Sequence, residues 1–494
     1  MIRLILSAVL AVALLWWGWH AAHPLPQPQK LANGAELKWV DCWFDTPLLR
    51  PVHCAKLATS KEGVSQFELP VVYFPAPIWQ GPRSPVLYIS GGPGGESWLD
   101  AEGMPIWYDW VDDVDWSRGV VFYDQRGVGL SEPALACAEM QQAREELLSL
   151  DIPSEEASLR MQMAAKACYQ RHKSNGVDFS AFSTRANARD ADDLMTAMGF
   201  STWDVYGVSY GTRVALELMR LAPDKLGAVV LDSVYPPQVN SELSDVWLLH
   251  RSIAMYERIC ELASDCAQPV EVLAHYLDKA VERLRHTPIR MQLVNPAGEA
   301  FQSVVFTHED FVWLLFEVMY QWHLIPDLPE VVQAVANGED NPRLREIVSD
   351  SVVNYLDDSI SDAIATAVEC NDNVVVTREE YEITRQIYGD TFGLLKHSWE
   401  HHACRFWKDD AEDRAFVQPV VADTPVLLLA GEFDPVTPID WAYLAAETLP
   451  NSAVFTFPAI GHGVLDSHGC ALQLVREFWQ KPDDPHVPEC VNKL

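Results

Sequence analysis

A serine, an aspartate and a histidine stand far apart in this chain but in matching contexts. Ser209 lies in WDVYGVSYGTRVALELM, directly after a compact apolar run and before text of helical period. Asp434 follows TPVLLLAGEF and His462 follows AVFTFPAIG, each again just past an apolar run. A serine hydroxyl is a weak nucleophile unless a base takes its proton, and the base needs an acid to orient it. The residue types fit that division of labour: Ser209 as nucleophile, His462 as base, Asp434 as orienting acid. The chain order serine, acid, histidine is the one found when the nucleophile sits on a sharp strand-to-helix turn. G-x-S-x-G alone is too short to decide, and the contexts of its partners give it weight. Asp232, which also ends an apolar run, is the rival acid. His468, in loop-like text beside Gly469 and Cys470, is the rival base.

The neighbours of Ser209 have physical tasks. Gly207 and Gly211 keep Cβ atoms out of a tight strand–helix crossing. The helix that follows aims its positive end at the serine, and the Tyr210 N–H is placed to donate to an oxyanion. SGGPGG, residues 90 to 95, follows another apolar run. Its glycine-rich turn exposes backbone N–H groups, so Gly92 is the expected second oxyanion donor, with Gly91 as the alternative. A phosphate-binding turn fits less well, because the P-loop lysine is absent and no G-x-G-x-x-G occurs.

Elements that can position these residues are legible as short apolar runs. FELPVVYF, SPVLYIS, RGVVFYD, TWDVYG, LGAVVLDS, TPVLLLAG and AVFTFPAIG read as strands, continuous rather than alternating, as expected for a parallel sheet covered on both faces. Helical text lies between them, which makes the fold α/β. Ligands in such sheets bind at the carboxyl ends of the strands, where all three residues arrive.

The chain divides accordingly. Residues 1–22 form a signal peptide or N-terminal anchor, with Arg3 before an apolar run that is short for a membrane span. Residues 23–34, Pro-rich and polar, read as a linker. A first core part spans 35–235, and AREELLSLD and EEASLRMQMAAKACYQRH within it read as helices. The interval 236–415 reads as a mainly helical cap, with MQLVN and SVVF as its strand-like text, and 416–494 completes the core.

With 494 residues, 49% of them hydrophobic, and 18 Trp, a large core is within reach. The formal charge of −34 argues against nucleic acid and anionic membrane as partners. Ten cysteines fit an exported, periplasmic or extracellular protein, and an uncleaved leader is the alternative that would anchor it. Neighbour pairing is the working hypothesis: Cys42–Cys54, Cys137–Cys168, Cys260–Cys266, Cys370–Cys404 and Cys470–Cys490. No C-x-x-C occurs, and no metal site is expected.

Four stretches carry a family likeness: SGGPGG, YDQRGVGLS (123–131), DVYGVSYGTRVALEL, and PVLLLAGEFDPVTP with GHGVL. They resemble the α/β-hydrolase fold and, within it, the prolyl and tripeptidyl aminopeptidase group of serine exopeptidases, over about residues 70 to 480. AVECND (367–372), followed by Cys404 and Trp407, and the C-terminal part are similar to the tripeptidyl subgroup. Ser90 stands where the related motif usually has His. The resemblance implies a mostly parallel sheet with a helical cap, a serine peptidase releasing N-terminal residues or short units, peptide substrates with a free N-terminus, and no cofactor. An ester hydrolase of the same fold, or a non-catalytic binding protein on this scaffold, are the alternatives.

A free α-ammonium group calls for a carboxylate. Among Glu309, Glu317, Glu369 and Asp372, the choice falls on Glu369 and Asp372, which lie in the stretch that a Cys370–Cys404 bridge would hold. Trp313, Tyr320 and Trp322 are candidates to line an apolar pocket or to pack the cap. In DQRGVGLS, an Asp124–Arg126 pair is expected to brace the floor of the site.

Overall fold

The computed structural model describes residues 25–47, 50–61, 64–76, 83–114, 117–240, 270–294, 300–339, 341–373, 399–407 and 415–491, with a few single positions between 244 and 254 and at 383. The leader, the helical text from 255 to 264 and the Cys260–Cys266 pair lie outside the described residues.

Eleven strands occur among the described residues: β1 (Glu36–Val40), β2 (His53–Lys61), β3 (Val64–Phe74), β4 (Val86–Ile89), β5 (Val120–Tyr123), β6 (Trp203–Val208), β7 (Leu226–Asp232), β8 (Ile289–Val294), β9 (Ala300–Phe306), β10 (Val426–Gly431) and β11 (Ser452–Phe457). The helices are α1 (Met104–Val114), α2 (Ala138–Leu148), α3 (Ser154–Ser174), α4 (Thr184–Ala197), α5 (Tyr210–Leu221), α6 (Val270–His286), α7 (His308–Tyr320), α8 (Leu328–Asn337), α9 (Pro342–Tyr355), α10 (Asp362–Asp372), α11 (Trp399–Trp407), α12 (Ile439–Ala446), α13 (Val464–Ser467) and α14 (Gly469–Gln480).

Nine strands form one sheet in the order β1-β2-β3-β5-β4-β6-β7-β10-β11. From β5 to β11 every pairing is parallel, and these strands are the continuous apolar runs of the sequence. In β5 and β10 every residue is buried, since helices cover both faces. The β1–β2–β3–β5 side is antiparallel. FELPVVYF therefore belongs to an antiparallel strand although it reads as apolar as its parallel neighbours. Strands β1 and β2 are too polar and too short of apolar runs to be legible as strands in the sequence.

One face of the sheet packs on α2–α5, α10, α11 and α12, the other on α1, α13 and α14. A separate core joins β8, β9 and helices α6–α9 into a cap. The long interval is thus divided. Its part from residue 270 to about 356 builds the cap, whereas α10 and α11 bury Ala363, Ile364, Ala367, Val368 and Trp407 in the core of the main sheet. The stretch read as a linker is tied down instead of crossing solvent: the Gln29 N–H donates to the Ala197 carbonyl at 2.7 Å, and Asn33 Nδ2 donates to Asp193.

Eight of the ten cysteines lie among the described residues, and they pair as Cys42–Cys54, Cys137–Cys168, Cys370–Cys404 and Cys470–Cys490. No helix among the described residues is long and apolar enough to cross a membrane.

Candidate active site

The sheet register sets the site. Val208 pairs with Asp232, Asp232 with Leu429, and Gly431 with Phe457, so β6, β7, β10 and β11 end at one edge. Ser209, Ser233, Asp434 and His462 follow those ends directly or within a few residues.

Ser209 caps α5 with φ 56° and ψ −126°, a conformation sparsely populated for a residue with a side chain. Such strain costs of order 1–3 kcal/mol and persists only where packing enforces it. Here the two flanking glycines allow the enforcement. A Cβ on Gly207 would lie 2.6 Å from the Gly211 carbonyl oxygen, and one on Gly211 would lie 2.1 Å from that of Ile89. The Ser209 N–H donates to the Asp232 carbonyl at 2.9 Å, and its carbonyl accepts from the Thr212 N–H and hydroxyl. The Thr212 hydroxyl oxygen in turn accepts the Tyr235 N–H, joining the elbow to the loop after β7.

Asp434 and His462 form a buried pair. His462 Nδ1 lies 2.8 Å from Asp434 Oδ2. The other carboxylate oxygen accepts the N–H groups of Val436 and Thr437 at 2.9 and 2.8 Å, and the Thr437 hydroxyl donates to Oδ2. Burial by itself would push the Asp434 carboxyl up, but the His462 ring and the Thr437 donors outweigh it and hold the carboxyl below its ordinary range. The acid therefore stays ionised and fixes the imidazole with Nδ1 toward it. His462 Nε2, the nitrogen that must take a proton from a nucleophile, is buried and has no hydrogen-bond partner among the described residues.

The rivals have other work. Asp232 is fully buried, and its carboxylate accepts the N–H groups of Val464 and Leu465 and the hydroxyl of Tyr206. The Gly463 N–H donates to the Ser233 hydroxyl at 2.9 Å. Asp232 and Ser233 thus hold the backbone just past His462. His468 caps α14 by accepting the Cys470 N–H at Nδ1.

The SGGPGG loop lies against Ser209: a Cβ on Gly91 would meet its Oγ at 3.6 Å. Tyr210 N–H is the first of α5, one of the donors a helix leaves without an internal acceptor. Ser90 is buried, and its carbonyl accepts from Gln125 Nε2 at 3.1 Å. Gln125 Oε1 accepts from Asn187 Nδ2 at 2.7 Å, and Asn187 Nδ2 also donates to the Tyr210 hydroxyl, which accepts from Thr184 Oγ1 as well. This buried chain links both sides of the expected oxyanion hole. DQRGVGLS was the available signal for it, but nothing in the sequence points to Asn187 or Thr184.

The expected Asp124–Arg126 pair does not form. Arg126 binds Asp190 through two hydrogen bonds of 2.7 Å, because α4 presents that carboxylate to it. Asp124 instead accepts the N–H groups of Ser97 and Leu130 and so joins the segment after SGGPGG to the turn after β5. Asp372 is also turned inward. Its two oxygens accept the Thr184 N–H at 3.1 and 3.2 Å, and Arg213 lies close by, so it holds the first N–H of α4. Glu369 is half-buried and accepts from the Tyr235 hydroxyl at 3.2 Å and from Asn373. Glu309 is buried in the cap and accepts from Ser154.

Tyr320, at the end of α7, stacks on His462 with ring centroids 4.6 Å apart, and its carbonyl accepts the His462 N–H. Phe433, next to Asp434, is buried in the cap core. The cap therefore rests on both His462 and the residue before Asp434.

Among the described residues, Cys137, Cys168 and His172 are the one grouping with metal-ligand types in reach of each other. The two cysteines form a disulfide, and His172 Nε2 lies 2.9 Å from the Ala136 carbonyl.

This sheet, with a serine on a strained elbow and a buried His–Asp pair at the same edge, defines a serine hydrolase of the α/β-hydrolase fold. The α/β hydrolase fold family matches residues 84–253, and the TAP-like protein family matches residues 393–490. The chain is 25% identical over 465 residues to a tripeptidyl aminopeptidase of Streptomyces lividans, covering 88% of this chain and 82% of that one. It is 24% identical over 468 residues to the serine protease Hip1 of Mycobacterium tuberculosis, covering 87% of this chain and 86% of that one. A crystal structure of proline iminopeptidase from Mycobacterium smegmatis aligns with TM-score 0.39 and 15% identity, over 85% of this chain and 96% of that chain.

Proposed function

We propose that the protein is an exported aminopeptidase that releases N-terminal residues or short units from peptides through an acyl-enzyme on Ser209. The observation that carries the chemistry is the buried His462–Asp434 pair, whose free Nε2 shares one sheet edge with the strained Ser209. Ser209 Oγ attacks the scissile carbonyl while His462 Nε2 accepts its proton, and Asp434 stabilises the imidazolium. The oxyanion forms between the N–H groups of Tyr210 and Gly92. His462 then protonates the leaving amine, and water, deprotonated by the same imidazole, releases the acyl group.

Likeness to a tripeptidyl aminopeptidase over most of both chains supports peptides as substrates. Four disulfides support an oxidising compartment, periplasmic or extracellular, with an uncleaved leader as the alternative anchor.

The test is hydrolysis of Ala, Pro, Ala-Ala and Ala-Ala-Pro anilides, each with a free and an acetylated N-terminus, together with a short-chain ester. Strong preference for free amines establishes an aminopeptidase. Equal cleavage of blocked anilides, or activity on the ester alone, leaves a serine hydrolase but overturns the exopeptidase reading.

A further inference from the structure

His462 Nδ1 is held by Asp434 Oδ2 and lies 3.2 Å from Thr437 Oγ1. Contacts at that single atom leave the imidazole plane free to tilt, because the last side-chain torsion of histidine is broad. The direction of Nε2 then depends on a second constraint, and the cap supplies one. The Tyr320 ring lies over the imidazole, with centroids 4.6 Å apart and planes inclined by 29°. Phe316, about one turn back on α7, lies 6.4 Å from Tyr320, and Trp313 stacks on Phe316 at 4.9 Å. The Tyr320 ring is thus itself backed by aromatic rings.

The backbone makes the same contact. The His462 N–H donates to the Tyr320 carbonyl at 3.1 Å. A Cβ on Gly461 would fall 2.5 Å from the Met319 carbonyl oxygen and 2.6 Å from that of Tyr320, so a side chain there would force α7 away. The Gln321 N–H closes the helix on the Glu317 carbonyl, and the carbonyls beyond it have no donor within the helix. The negative end of the α7 dipole therefore abuts the loop that carries His462.

We infer that Tyr320 is a positioning residue for the base. Its ring holds the imidazole plane that aims Nε2 at Ser209 Oγ, and its π face, with the carboxyl end of α7, stabilises the imidazolium. The inference rests on His462 acting as the base and is independent of which acyl compound is cleaved. It goes beyond the aminopeptidase reading by giving a cap residue a share in the proton transfer. The imidazole must be neutral to accept the serine proton and carries charge only afterwards. An aromatic face and a helix carboxyl end attract a cation far more than a neutral ring. Their contribution therefore appears in the transition state and not in substrate binding, so kcat depends on it and KM does not. Because the ring comes from the cap, that contribution requires the cap to be seated.

The experiment compares wild type, Tyr320→Phe, Tyr320→Leu and Tyr320→Met in two ways. One is kcat and KM on the anilide that wild type cleaves fastest. The other is the second-order rate of inactivation by diisopropyl fluorophosphate, a reagent that needs the base but no peptide subsite. Rates are expressed per labelled serine, so an inactive fraction cancels. Leu and Met fill the space without a π face, and Met carries the comparison if the Leu variant does not fold. Both should lower kcat and the inactivation rate about 3- to 30-fold, as loss of a cation–π contact implies, with KM nearly unchanged. Tyr320→Phe should restore both rates. An inactivation rate equal to wild type in the Leu and Met variants overturns the inference, whatever KM does, and makes Tyr320 a wall of the substrate site. A Tyr320→Phe protein as slow as Tyr320→Leu also overturns it, since the hydroxyl and not the ring would then act. A wild type that the reagent leaves unmodified overturns the serine–histidine reading itself.

Discussion

The Asp232 carboxylate accepts the backbone N–H of Val464 at 2.9 Å, two residues beyond His462. The Leu465 N–H binds the same carboxylate at 2.8 Å, so the loop bearing the base is gripped from the neighbouring strand end. Asp434 holds the ring and Asp232 holds the backbone, which divides orientation of His462 between two buried acids. Replacing Asp232 by Asn removes one of the acceptors and the charge. Hydrogen bonds to charged groups contribute about 1.5–3 kcal/mol, and the loop should lose a comparable amount. The expected result is a kcat lowered about tenfold or more with KM nearly unchanged, together with a lower Tm. A kcat equal to wild type in a folded Asp232→Asn protein would remove this positioning role.

Ser209→Ala and His462→Ala should each lower kcat by several orders of magnitude, about 10^4-fold or more, because the proton transfer and the acyl-enzyme vanish. Asp434→Asn should cost somewhat less, since the oxyanion donors and the nucleophile remain. Labelling with a fluorophosphonate probe checks the assignment independently of substrate. Wild type should be modified at Ser209, and retention of the label in Ser209→Ala would exclude that serine as the nucleophile.

The glycines of the elbow can be tested through folding. A Cβ on Gly211 would fall 2.1 Å from the backbone oxygen of Ile89. Neither strand β4 nor helix α5 can yield without disturbing the sheet, so Gly211→Ala should destabilise by about 3 kcal/mol, at the upper end of overpacking costs. Urea unfolding would register this as a lower midpoint. Gly176, whose Cβ would meet nothing within 4 Å, is a contrasting site, although its φ of 87° adds strain of its own.

Stability should fall as the pH rises from acid to neutral. Burial raises the carboxyls of Asp124, Asp204 and Asp232 to about 6 and that of Asp372 to about 7. In the unfolded chain such groups titrate near 3.9. Between about pH 4 and 7 the folded state therefore binds more protons than the unfolded state, and its advantage is lost as the pH rises through the folded values. Self-repulsion at a formal charge of −34 acts in the same direction. The Tm at pH 5.5 is expected to exceed that at pH 8, and the reverse order would contradict the burial of these groups.

Reduction should weaken the region under the cap. Cys370–Cys404 ties α10 to α11 across a sequence separation of 34 residues. Closing a loop of that length restricts the unfolded chain by about 4 kcal/mol in the chain-entropy account. Cys370→Ser with Cys404→Ser should lower the Tm without abolishing labelling of Ser209. Loss of labelling in a folded double variant would mean that the bridge shapes the site itself.

The sequence by itself determined the parallel strands of the sheet, the elbow and the identity of the triad candidates. Those features are written in local terms: an apolar run four to seven residues long, glycines two positions before and two positions after the serine, an acid and a base just past such runs. Their register at one edge follows once the strands are parallel neighbours. Only the tertiary structure decided the partners of the polar groups. Arg126 meets Asp190 and not Asp124, Asp372 accepts the first N–H of α4, and Asp232 grips the backbone of 464 and 465. It also decided that α10 and α11 join the main core and that Tyr320 of the cap rests on His462. Such pairings depend on which surfaces of distant elements face each other, and no periodicity or spacing along the chain encodes that. A buried carboxylate takes whichever donors the packed elements bring to it, because leaving it unsatisfied costs more than any local preference.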